Sequence, residues 1–92
     1  MADALVSPDV VARYAADAAR EVDGVAAIVD GVRKGIRVEG GEIELHLAFE
    51  WGVSFPAVGA AVQERVAEYL QRMADAAPSA VNVVVEEVHG PV

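Results

Sequence analysis

Between Glu42 and Glu50 the chain alternates: Ile43, Leu45, Leu47 and Phe49 fall on one side, and Glu42, Glu44, His46 and Glu50 on the other. Successive side chains of a strand point to opposite faces, so this stretch reads as a β-strand with one buried and one wet face. Such a strand cannot stand alone. It needs strand neighbours at its edges and a covering layer over its apolar face.

The flanking sequence supplies both. Upstream, Ile36 and Val38 alternate with Arg37 and Glu39, and Gly40-Gly41 makes a two-residue hairpin turn, since both glycines accept positive φ. Further back, Val25 to Val29 reads as a short strand and Asp30-Gly31 opens a loop. Downstream, Val81, Val83 and Val85 alternate as a last strand. Its apolar register then shifts to Val88, which predicts a bulge near Glu86 or a second apolar patch.

Two helices provide the cover. Ser7-Pro8-Asp9 is a start signal, with Val10, Val11, Tyr14, Ala15, Ala18 and Val22 at helical spacing and Gly24 at the end. Ser54-Phe55-Pro56 opens the second, with a buried stripe of Val58, Val62, Val66, Tyr69, Leu70 and Met73, ended by Ala77-Pro78-Ser79. Asp9 with Arg13, and Glu68 with Arg72, are spaced for outward ion pairs.

The order is α-β-β-β-α-β in a single domain covering 1–92. The expected fold is α+β in two layers, with both helices on one face of a small mixed sheet. Strand 42–50 and strand 80–88 should run parallel through the helical crossover. The other face should carry Arg37, Glu42, Glu44, His46 and Glu86 into water.

Charge narrows the function. Fifteen acids against seven bases give a formal charge of −8, which repels phosphate backbones and anionic lipid. No cysteine is present, so disulfides, thiolate metal sites and a Cys nucleophile are excluded. No signal peptide and no run near the ~20 apolar residues of a membrane span is visible, which points to a soluble intracellular domain.

Four ordered stretches resemble the alkaline shock protein family, the Asp/Gls envelope stress response proteins of Gram-positive bacteria. Glu21-Val22-Asp23-Gly24-Val25-Ala26 resembles the family's E-V-x-G-V, and Lys34-Gly35-Ile36-Arg37-Val38 its K-G-h-x-V. Leu47-Ala48-Phe49-Glu50-Trp51-Gly52-Val53, with Gln63 downstream, resembles the strand-to-helix passage. Val81-Asn82-Val83-Val84-Val85-Glu86-Glu87-Val88 resembles the closing V-N-V-x-V-x-x-V.

The sequence departs from the family in three places. Trp51 stands where Tyr is usual, Ala77-Pro78-Ser79 replaces a Thr-Gly turn, and the loop from Asp30 to Arg33 is short. The resemblance implies a cytoplasmic, non-catalytic, acidic protein of envelope stress response. It implies self-association into oligomers and a scaffolding role, with a small membrane-anchoring protein holding it at the inner membrane face without insertion. It carries over no catalytic residue, metal or cofactor. Gln63 is expected to bond across to a neighbouring element, and Asn82 to satisfy a strand edge.

The chemistry candidates are weak. Ser7, Ser54 and Ser79 sit at element ends, where capping explains them. Glu44, His46 and Glu86 or His89 share a sheet face and could hold a metal, but the spacing favours a plain polar face. Glu64 with Glu68, and Glu86 with Glu87, read as solvated acids.

Interaction candidates remain. Trp51 is either a core plug, the commoner fate of Trp, or an interface anchor. Val84 and Val88 make an exposed apolar strip if no bulge corrects the register, and the last strand is a possible sheet edge. Arg33, Lys34 and Arg37 form the basic cluster, suited to partner docking; the alternative is a small nucleic-acid- or ligand-binding α/β domain using that loop.

Overall fold

The computed structural model describes residues 7–29 and 35–90. Helix α1 (Pro8–Arg20) starts where Ser7 Oγ accepts the Val10 N–H and Pro8 fills the first turn. Its buried face is entirely alanine: Ala15, Ala16, Ala18 and Ala19. Side chains this small let the helix lie close to its neighbours. Helix α2 (Phe55–Ala74) starts in the same way, with Ser54 Oγ accepting the Ala57 N–H. It ends at Asp75, which takes a left-handed conformation (φ 52°) while the Ala76 N–H closes onto the Leu70 carbonyl. The stop therefore precedes Pro78.

Val58, Val62, Val66 and Leu70 are buried along α2, and Tyr14 of α1 meets Tyr69 edge to face at 5.9 Å. Met73 is exposed, contrary to its expected place in the stripe. It stands one turn beyond Tyr69, where the facing helix has reached its own exposed first turn: Val10, one turn before Tyr14, is exposed as well.

Strand β3 (Glu42–Glu50) is the spine of the sheet. Along one edge it pairs in parallel with β4 (Ala80–His89) from Glu42↔Ala80 to Glu50↔His89. The other edge is shared end to end by two antiparallel strands. β1 (Val25–Ile28) pairs with Leu47 to Phe49, and β2 (Ile36–Glu39) pairs with Glu42 to Leu45. The two meet at His46, whose carbonyl accepts the Val29 N–H and whose N–H donates to the Gly35 carbonyl, both at 2.8 Å. Chain positions 29 and 35 thus abut the same residue, and β1 and β2 act as one edge strand pinched open between them. The sheet is mixed, as expected, and Gly40 and Gly41 turn the β2–β3 hairpin with φ of 58° and 86°.

The core lies between the inner sheet face and the helices. Ile43, Leu45, Leu47 and Phe49 are buried there with the α1 alanines and the α2 stripe. The expected bulge is present: Leu47 faces Val85 while Ala48 faces Glu87, leaving Glu86 as the extra residue. A second irregularity lies at Ala26 on the opposite edge of β3, between Val25↔Phe49 and Ala27↔Ala48. Ser79 caps no helix. It leads into β4, and its N–H donates to the Gly41 carbonyl at 2.9 Å.

Glycine is needed at the pinch. A Cβ on Gly35 would sit 2.4 Å from Ile28 Cγ2 and 2.6 Å from the Val29 carbonyl oxygen, and that backbone cannot yield. Gly59, within α2, faces open space. Gly35→Ala should lower the unfolding free energy by roughly 1–3 kcal/mol. Gly59→Ala should raise it by up to ~1 kcal/mol through helix propensity alone. Urea denaturation of the two variants measures both, and equal effects at the two sites would contradict the pinch.

Candidate functional site

The pleat and the register place four charged side chains in a row across the outer sheet face. Arg37 of β2 lies opposite Glu44 of β3, and its Nη2 is 3.5 Å from Glu44 Oε1. Glu44 Oε2 lies 2.5 Å from His46 Nε2, two residues along the same strand. His46 Nδ1 is bonded to Glu86, the bulged residue of β4. The chain Arg37–Glu44–His46–Glu86 spans three strands.

Both ring nitrogens of His46 face carboxylates, so both must donate, and only the imidazolium can do so. The hydrogen bond to Glu86 is the main cause that raises the His46 pKa above its ordinary value, followed by that to Glu44. Partial burial opposes this more weakly. The nitrogens that would ligate a metal are therefore committed to carboxylates. Among the described residues no group of three or more His, Asp or Glu has metal-holding geometry. His89 turns away from this row and pairs with Glu87 at 3.0 Å. A second charged contact joins the helices: Arg65 of α2 bonds Glu21 at the end of α1, which holds the guanidinium still more firmly protonated.

The interaction candidates separate. Trp51 is 66% exposed, so it is no core plug. Its N–H donates to the His89 carbonyl at 2.7 Å, and Gly90 packs so close to its Cβ that a side chain there would clash at 2.3 Å. The backbone at Trp51 is thus clamped while the indole faces out. Val84 and Val88 are 39% and 43% exposed but do not form one strip. Val84 lies beside His46 on the outer face, whereas the bulge turns Val88 to the face of its partner Phe49. Phe55, also exposed, packs edge to face on that same Phe49 at 5.4 Å. Of the basic cluster, Arg37 sits on β2 in the charged row; Arg33 and Lys34 lie outside the described residues.

Gln63 reaches across as expected, and its Nε2 donates to the Val81 carbonyl of β4 at 2.9 Å.

One feature escaped the sequence reading. Between α1 and the β1–β2 edge runs a groove of about 910 Å³, floored by Ala12, Ala16, Ile28, Ile36 and Val38 and rimmed by Arg13, Arg20 and Arg37. The signal was the seven-residue spacing of Arg13 and Arg20, two helical turns on one side of α1. The expected Asp9–Arg13 pair hid it. Among the described residues that pair is not formed, and Arg13 makes no ion pair.

A family model described as the Asp23 family, of cell envelope-related function, matches residues 2–90. No curated protein and no solved structure matches the chain.

The His46 clamp sets a pH dependence. Its pKa is raised on folding, so its contribution to stability is complete below 6.5, the ordinary histidine value. That contribution is lost as pH rises through the higher folded value. The urea midpoint of the protein should therefore decline from pH 6.5 upward, and His46→Gln should flatten the decline. A wild-type midpoint unchanged across that window would refute the clamp.

Proposed function

The chain belongs to the Asp23 family of alkaline shock proteins (the family's title, not the residue at position 23), whose function is cell envelope-related, and from that premise we propose that it is a non-enzymatic scaffolding module that self-associates and is held at the inner membrane face by a partner protein. The observation that carries this reading is the outer edge of β4. That strand is ten residues long and, among the described residues, pairs only with β3. An open edge of this length is a template for another strand.

Antiparallel pairing of two copies of β4 about a two-fold axis at Val84 would set Val84 against Val84. It would also set Glu86 against Asn82, so no carboxylate meets its own copy across the axis. Such an interface is self-complementary and closed. The exposed Trp51 adds an aromatic of the kind that anchors interfaces. The −8 charge keeps the assembly from binding nucleic acid or anionic lipid unaided. No described helix is long and apolar enough to cross a membrane, so a membrane-spanning partner is the proposed tether.

Sedimentation across the micromolar range should show reversible association. Val84→Lys, placing like charges across the axis, should weaken it roughly tenfold or more. Trp51→Ala should weaken it less. A strict monomer at every concentration, with no partner captured by in-cell crosslinking, would end the proposal.

A further inference from the structure

We propose that the groove between α1 and β2 is a second, separate docking site. It takes an extended acidic peptide segment of a partner protein, added as a strand to the free edge of β2. The inference shares with the scaffolding reading only the premise that the chain acts through its surface. It does not depend on self-association.

The edge comes first. The His46 N–H donates to the Gly35 carbonyl, and the two-residue turn closes on Glu39↔Glu42. In an antiparallel ladder hydrogen-bonded pairs alternate, so Gly35, Arg37 and Glu39 direct their backbone groups at β3. Ile36 and Val38 therefore direct their N–H and C=O groups the other way. Among the described residues no strand meets them. That side is where the groove runs, with Ile36 and Val38 in its lining.

Charge comes next. The protein has seven bases in all, and three of them, Arg13, Arg20 and Arg37, rim this one groove, with Asp9 as the only lining acid among the described residues. A domain of charge −8 thus reverses sign locally. Arg20 and Arg37 hold only loose contacts at 3.5 Å, to Asp17 and Glu44, and Arg13 has no ion pair among the described residues. Arg13 is free to turn to incoming carboxylates, and Arg20 and Arg37 can exchange their loose contacts for them, since the guanidinium fork binds a carboxylate in bidentate fashion. Arg13 and Arg20 stand about 10 Å apart along the helix. Acids on one face of an extended strand recur at about 7 Å and 13 Å, within reach of such long side chains. The apolar floor takes the alternate residues.

The backbone groups decide the class of occupant. An anionic lipid would use the arginines and the floor but leave the N–H and C=O groups of Ile36 and Val38 without partners. A peptide strand satisfies all three features at once. The preferred segment alternates acids with β-branched apolar residues.

The probe is a fluorescein-labelled hexapeptide alternating valine and glutamate, titrated into the full chain by anisotropy and by amide shifts. Expected are saturable binding and largest shifts at Ile36 and Val38. Methylation of alternate peptide nitrogens should weaken binding at least roughly tenfold, and so should the double variant Arg13→Ala with Arg20→Ala. A variant with a wild-type urea midpoint shows that the loss is not unfolding; Arg37→Ala serves if the double variant is destabilised. Equal binding of the methylated peptide, or shifts centred on β4, overturns the proposal. Phosphatidylglycerol vesicles shifting the same amides where the peptide does not would assign the groove to lipid. Shifts of the same Ile36 and Val38 amides on concentrating the protein without peptide would assign it to a second copy. Either outcome also overturns the proposal, whereas loss of peptide binding with unchanged sedimentation leaves the scaffolding reading standing.

Discussion

Everything in this fold depends on β3 being used on all sides but one. Its inner face is buried under two helices, one edge is taken by β4 along its whole length, and the other is shared by β1 and β2. A strand has only two edges, so once β4 returns in parallel, β1 and β2 must lie end to end. That requirement pinches the chain between Val29 and Gly35 and forces glycine at the closure. The free side of β3, its outer face, is where the charged row runs.

Two irregularities flank β3 at the same height. Ala26 interrupts β1 opposite Phe49 and Ala48, and Glu86 interrupts β4 opposite Leu47 and Ala48. Bulges increase local twist and redirect side chains. The bulge in β4 does both jobs needed there. It turns Val88 to the side of Phe49, and it leaves Glu86 in reach of His46 Nδ1. The imidazolium then links β3 to β4 on the wet face, above the point where the ladder is weakest. Arg37 and Glu44 continue the link to β2. Held this way, the row has no free nucleophile or base, and it reads as a cross-strand tie.

Much of this was legible in the sequence because the signals are local. The Glu42–Glu50 alternation, the Gly40-Gly41 turn and the Ser-Pro starts each declare themselves within a few residues, and order plus crossover length implied the parallel β3–β4 pair. The register slip at Glu86 was visible as a change in apolar parity. What was not legible depends on the relative length and placement of elements. Met73 has the right helical angle but lies in the last turn of α2, one turn past the Tyr14–Tyr69 contact, where Val10 of α1 is exposed too. The type of Trp51 left it between core plug and interface anchor, whereas its backbone is clamped by His89 and Gly90 with the ring left outside. The arginine groove joins residues from α1 and β2, more than fifteen positions apart at the nearest, and no one-dimensional pattern connects them.

The two open edges of the sheet differ in chemistry, and that difference separates their uses. The β4 edge carries Val84, Glu86 and Glu87 and meets no further strand among the described residues; Gln63 takes the Val81 carbonyl near its start, and the length that remains suits another sheet. The β2 edge is four residues long and walled by α1. A strand arriving there inside a sheet would bring its own neighbours into the helix, whereas a lone peptide would not. Because β4 is acidic and the β2 groove is basic, charge alone would favour head-to-tail chains of copies, which do not close. The α1 wall opposes that outcome by shape. On the proposed reading, shape thus separates the two uses: the long edge for like copies, the short, arginine-rimmed one for a single unpaired strand.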